Sequence, residues 1–145
     1  MYVRWDPENG EPPREFEFDP EDLLKSEGKA IEKQYGKSVE QWLNQLRIKE
    51  LAAREVLLWH LLRQEHKTLA FADVPDFRLR QMQVEMSSQE LRDLMKRAER
   101  MKLTDEERDQ LRGAFEIDIA DAMQRETGVY EGEIATEEPN LPKPA

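Results

Sequence analysis

One stretch governs what this chain can fold into. From Lys49 to Lys67 runs a helical pattern in which Leu51, Ala52, Val56, Leu57, Leu58, Trp59, Leu61 and Leu62 occupy more than one stripe. A helix that is apolar on more than one side has to be surrounded, so the pattern predicts a central core helix. The rest of the chain is leaner. Of 145 residues, 38% are hydrophobic and 37% charged, a balance that supports a thin core with long polar helices or disordered ends. A chain of this length buries roughly 68–70% of its unfolded surface, so one domain is expected and two small lobes are the upper bound. Trp42, Leu58, Trp59 and Leu62 are the expected core anchors, since large aromatic and aliphatic side chains dominate burial.

Around that helix the reading is mainly α, with about five helices and a short N-terminal β-hairpin. Tyr2-Val3-Arg4-Trp5 and Glu15-Phe16-Glu17-Phe18 alternate and flank a loop dense in turn formers, with Asn9-Gly10 as the turn signal. Such a hairpin is marginal alone, so residues 1–18 are expected to pack on the helices. Asp19-Pro20-Glu21-Asp22 predicts a helix start, with Leu23, Leu24, Ala30, Ile31 and Tyr35 on its buried face and Gly36 at its end. Ser38-Val39-Glu40-Gln41, Ser87-Ser88-Gln89-Glu90 and Thr104-Asp105-Glu106-Glu107 have the form of capping boxes and predict three further helix starts. The last of these helices runs to about Glu126, and Gly128 is its expected stop. Phe71-Ala72-Asp73-Val74-Pro75 reads as extended, because proline disfavours helix before it. Residues 77–86 alternate apolar and polar almost throughout. A strand fits that pattern, and so does an extended segment lying on the surface. The expected organisation is therefore a hairpin over 1–18, a helical domain over 19–126 and an acidic flexible tail over 127–145.

Charge narrows the function. With 22 Lys+Arg against 32 Asp+Glu the net charge is −10, which argues against a duplex-binding protein. Residues 1–24 carry eight acids and two bases, whereas 78–102 carry seven bases and four acids. A solvated helix face explains such a basic stretch, and so does a docking face for an acidic partner segment. The absence of cysteine excludes disulfides, thiolate metal sites and cysteine nucleophiles, and suits a reducing cytosol. The first residues lack the apolar stretch of a signal peptide, and no apolar run approaches the roughly 20 residues needed to cross a bilayer. A soluble intracellular protein without nucleic acid or membrane as partner is expected.

The chemistry of sites is sparse. His60 and His66 are six residues apart and fall on different helical faces, and Glu65-His66 lacks the spacing that sets two ligands on one face. Carboxylate pairs such as Glu106 with Glu107 or Asp118 with Asp121 follow from the acid content alone. There is no glycine-rich phosphate loop, no nucleophile elbow and no spaced Ser-His-Asp set. The expectation is no enzyme, no cofactor and no metal. Met82, Met86, Met95 and Met101 suit adaptable apolar contact as well as ordinary core filling, and Trp5 likewise has both readings. The extended run and the net-positive stretch together make Leu79, Met82, Met86, Leu94 and Met95 the candidate partner-binding residues.

The order Phe18-Asp19-Pro20-Glu21-Asp22-Leu23-Leu24, Ala30-Ile31-Glu32-Lys33-Gln34-Tyr35-Gly36, Trp42, Ala53-Arg54-Glu55-Val56-Leu57-Leu58-Trp59-His60-Leu61-Leu62-Arg63 and Leu69-Ala70-Phe71-Ala72-Asp73-Val74 resembles the tail assembly chaperones of long-tailed phages, especially those infecting actinobacteria. The likeness covers about residues 1–90. Glu55-Val56 departs from the Ala-Leu common there, and Glu65-His66-Lys67 stands where proline often follows. The resemblance implies a non-catalytic protein of the host cytoplasm. It would bind the tape measure protein and keep that long helical chain soluble and extended while tail-tube subunits polymerise. Further implied partners are the tail tube protein and a longer, frameshifted form of the same chain; homo-oligomers are left open. Pro142-Lys143 can be encoded by the slippery repeat that such a frameshift uses. Two other classes fit the same composition: a head–tail connector or capsid-associated structural component, and an acidic regulator that mimics nucleic acid.

Overall fold

The computed structural model describes residues 1–134. Five helices and a three-stranded antiparallel sheet make up the described chain, which divides into two compact units, one of Met1–Glu85 and one beginning at Met86. The hairpin shares one core with the first three helices and with a strand from residues 82–85.

In the first unit β1 (Tyr2–Trp5) is the middle strand, flanked by β2 (Arg14–Glu17) and β3 (Met82–Glu85). Val3 stands opposite Phe16 on one side and Val84 on the other, and Trp5 opposite Arg14 and Met82. The two-residue period sends Val3, Trp5, Met82 and Val84 to one buried face. Arg4, Glu15, Glu17 and Gln83 fall on the other. The third strand supplies what the hairpin lacked, since two strands alone are marginal. The alternation in 77–86 becomes strand only over its second half. Leu79–Gln81 closes instead as a 3₁₀ turn, with the Arg78 amide donating to Gln81 Oε1 at 2.6 Å. Phe71–Asp73, expected to be extended, also turns as 3₁₀, and the chain re-extends at Val74 before Pro75.

The helix expected from Asp19 starts later. Asp19 Oδ1 accepts from the Glu21 amide at 3.0 Å and caps a single 3₁₀ turn, Pro20–Asp22. Leu23 and Leu24 are then extended, and the Glu27 carboxylate accepts from the Leu24 amide at 2.8 Å to open α1 (Lys25–Tyr35). That bond, foremost among the influences on it, holds Glu27 below the usual carboxylate range. Leu24 is exposed rather than buried. Gly36 ends α1 in the left-handed region at φ 86°, as glycine readily does. Ser38 and Gln41 form the reciprocal capping box of α2 (Val39–Arg47). Then α3 (Leu51–Arg63) runs through the middle, buried from Ala53 to Leu62 apart from Glu55. Trp42 is fully buried, and its indole N–H donates to the Ala53 carbonyl at 3.0 Å. Phe18 meets Trp42 and His60 edge-on, with both ring centroids 5.8 Å away.

The second unit is a helical hairpin of α4 (Ser88–Glu99) and α5 (Asp105–Ile134). Both expected capping boxes form: Ser87 with Glu90, and Thr104 with Glu107. Glu126 accepts from the Ser88 amide and hydroxyl, each at 2.8 Å. Burial pushes the Glu126 carboxyl up, but these two bonds together with the nearby Arg125 and Arg92 charges hold the group below its ordinary range. Gly128 does not stop α5, which continues to Ile134. One internal glycine costs about 1 kcal/mol, too little to break a helix already propagating. The expected tail boundary at 127 therefore falls inside the helix, while the rest of that segment and Pro142-Lys143 lie outside the described residues.

Candidate functional site

The five residues predicted to bind a partner divide between the two units. Leu79 and Met82 belong to the first unit, and Met86, Leu94 and Met95 to the second. Met82 is no surface residue: strand parity turns it inward with Val84, and it is fully buried. Leu79, 59% exposed, does lie at the surface. Met86, Leu94 and Met95 are half-buried, and Met95 helps line a small recess with Ala98, Leu103, Leu111 and Phe115. Of the core anchors, Trp42, Leu58, Trp59 and Leu62 are all buried, and the Trp59 indole donates to the Leu69 carbonyl at 3.0 Å. Trp5 is buried too, edge-on to Phe77.

Several other aliphatic side chains are exposed. In the second unit these are Met101 and Met123, joined by Ile117. In the first unit Ile48 is 71% and Leu51 46% exposed, and both sit at the corner where α2 hands over to α3. That corner is a Schellman turn. The Lys49 amide donates to Leu46 O and the Glu50 amide to Gln45 O, each at 3.0 Å. Lys49 occupies the left-handed position, φ 63°, that glycine would usually take. Its ammonium reaches Glu85 at the end of β3, 2.8 Å away.

Arg54, one turn after Leu51, lies on the same side of α3. It is only 9% exposed, and its Nη1 donates to Leu79 O at 3.2 Å and Met82 O at 3.0 Å. Its buried Nε has no hydrogen-bond partner, and no carboxylate lies within ion-pair distance among the described residues. The contact with Leu79 O brings the 79–82 backbone beside the start of α3. Ile48, Leu51 and Leu79 are exposed aliphatic residues of the same unit.

The start of α3 is electrostatically open. Its first turn has no acidic residue, and Glu50, at the capping position, makes no side-chain cap. The Glu50 carboxylate accepts instead from the Tyr35 hydroxyl. Burial first, then that bond and the negative charge of Glu50, push the Tyr35 phenol up to about 12. The amides of Leu51 and Ala52, on exposed residues, have no acceptor among the described residues. Free first-turn amides and the helix dipole favour an anion there. Arg47, Lys49, Arg78 and Arg80 lie on the same two segments, with Arg80 paired to Glu8 at 2.9 Å. Acids balance them on the same segments: Lys49 is paired with Glu85, and Glu50, Glu55 and Asp76 lie close by in sequence.

A signal for Arg54 was present in the sequence. A lone cation whose i+3 and i+4 neighbours, Leu57 and Leu58, are core residues has to be either lifted out or buried. Nothing local could say which, because its acceptors are 25 and 28 residues away. His60 is likewise buried, and burial above all pushes its imidazole down. No group of three or more histidines and carboxylates able to hold a metal ion occurs among the described residues, and no helix among them is long and apolar enough to cross a membrane. No protein-family model, curated protein or solved structure matches the chain.

Proposed function

We propose that this chain is a phage tail assembly chaperone. In the host cytoplasm it binds the tape measure protein and keeps it soluble and extended while the tail tube polymerises. The observation that carries the reading is the pairing of exposed aliphatic side chains with high negative charge. Ile48, Leu51 and Leu79 on one unit and Met101, Ile117 and Met123 on the other stand open on a chain of net charge −10. Aliphatic surface serves to cover apolar faces of a partner helix, while net charge keeps the carrier and its cargo dispersed. The segment order shared with the tail assembly chaperones supports the same reading.

The test is co-expression with the tape measure protein of the same phage, scored for soluble tape measure, beside mass spectrometry of infected lysate and purified particles. A chaperone raises the soluble fraction, is present in the lysate and is absent from finished particles. Presence in particles at a fixed copy number would instead make the chain a structural component.

A further inference from the structure

We infer that the open edge of β2 is a docking site for an extended segment of another protein that alternates basic and apolar residues and joins the sheet as a further strand. The chaperone reading concerns a largely helical partner; this site takes an extended one, so it goes beyond that reading and does not depend on it.

Backbone parity carries the argument. The Phe18 amide donates to Met1 O at 2.8 Å, and the Met1 nitrogen donates to Phe18 O at 2.7 Å. Along an antiparallel ladder, pairs that exchange both bonds alternate with pairs that exchange none. Phe16 with Val3 and Arg14 with Trp5 are therefore bonded pairs, and Glu15 and Glu17 aim their amides and carbonyls away from β1. No hydrogen bond to these groups occurs among the described residues. The chain itself meets the sheet's other edge. There the Asp6 amide donates to Gln81 O at 2.9 Å, and the same alternation turns the backbone groups of Met82 and Val84 outward. Both residues are buried, and Arg54 donates to Met82 O at 3.0 Å. The β1–β2 loop is tied toward that side too, with Glu8 bonded to Arg80 just before β3.

An open edge is a template for another strand, and the side chains along it set what that strand carries. Glu15 and Glu17 are exposed and in no ion pair among the described residues, while Phe16 between them is half-buried against the core. Arg14, the cation of β2, is already paired with Glu65. A second copy is the wrong occupant. Two-fold pairing through the outward groups sets Glu15 opposite Glu17 when centred on Phe16, and either glutamate opposite itself when shifted by one residue. Like charges directly opposite are destabilising, so the edge is guarded against its own kind. The same acids favour a strand with Lys or Arg opposite each of them and an apolar residue opposite Phe16. The eight acids against two bases of residues 1–24 steer such a segment toward the edge.

Amide exchange and nitrogen-15 NMR on the full chain test this. In the free chain the Glu15 and Glu17 amides are expected to exchange fast and the Phe16 amide slowly. The probe is a peptide of alternating Lys and Val. Its controls are a peptide of alternating Glu and Val, and one in which the same lysines and valines are grouped in separate blocks. The alternating Lys–Val peptide alone is expected to shift the Glu15 and Glu17 amides and slow their exchange. Glu15→Lys combined with Glu17→Lys is expected to weaken that peptide by about tenfold and to admit the Glu–Val peptide. Glu17→Pro removes one outward donor and no bond within the sheet; it is expected to weaken the peptide while Phe16 stays protected. Should that variant not fold, the charge reversal at two exposed positions decides alone. Glu15 and Glu17 amides already protected in the free chain, or an equal response to the block peptide, would overturn the site. So would protection that arises on concentrating the chain by itself, which would put a second copy on the edge.

Discussion

Replacing Trp42 is the sharpest test of the first unit's packing. The side chain is completely buried, donates its indole N–H to Ala53 O at 3.0 Å and meets Phe18 edge-on. Truncating a buried tryptophan to alanine costs about 3–5 kcal/mol in transfer and cavity. The aromatic pair adds about 0.5–1.5 kcal/mol and the hydrogen bond about 1 kcal/mol. Because these overlap, Trp42→Ala is expected to lose about 4–6 kcal/mol, most of the stability of a small domain. Trp42→Phe separates the terms, since it keeps an aromatic ring against Phe18 and loses the N–H. Its expected cost is about 1–2 kcal/mol. Urea titration followed by fluorescence of Trp5 and Trp59 reads this unit alone, because all three tryptophans lie within Met1–Glu85. The midpoint should fall with the slope unchanged. Trp59→Ala, at a site 7% exposed and near the cluster's edge, should cost about 3–5 kcal/mol and rank below Trp42→Ala. A Trp42→Phe protein within about 0.5 kcal/mol of the parent, or a reversed ranking, would refute the placement of Trp42 at the centre of the core.

Three further outcomes follow from single groups. His60 titrates below its ordinary 6.5 because it is buried, so the unfolded chain takes up its proton first; stability is expected to fall as pH drops below 6.5, and His60→Phe should flatten that slope in fluorescence-monitored urea titrations. Glu126, held below its ordinary 4.5, stabilises the second unit above that pH and loses the effect as the carboxylate is protonated; Glu126→Gln should cost about 1 kcal/mol at neutral pH by circular dichroism melting, and a melting point unmoved by the change would remove Ser88–Glu126 as a tie between α4 and α5. Gly36→Ala meets open space but must hold φ 86°, so a loss of about 1 kcal/mol is expected from backbone strain alone, and a neutral result would mean that α1 ends otherwise.

Where the signal was local, the sequence could be read closely. Ser38, Ser87 and Thr104 each cap a helix with the residue three positions on, because a capping box is complete within four residues. Asp19 misled for an equally local reason. It does cap a turn, but Glu27 binds the Leu24 amide and opens a second start six residues later. The parity of residues 77–86 was visible, yet which parity faced inward was not, since the pairing of Val84 with Val3 fixes it across 81 residues of chain. That is why Met82 read as surface and is core. Gly128 was weighed as a stop without the length of helix already formed before it.

The corner at Ile48 and Leu51 failed to declare itself for a different reason. Leu51 counts among the apolar residues of the α3 pattern, which predicts burial. What exposes both corner residues is the turn at Lys49, which ends α2 and redirects α3 before either side chain reaches the core. What buries Arg54 instead is a pair of carbonyls on a segment that joins the helix only after folding. The hydrophobic rule is thus inverted twice within seven residues: aliphatics outward, a cation inward. Folding alone gains nothing from that exchange, since the aliphatics forgo burial and the cation is desolvated. Local rules read each side chain by its own helix, whereas here the outcome is set by a turn and by carbonyls 25 and 28 residues away.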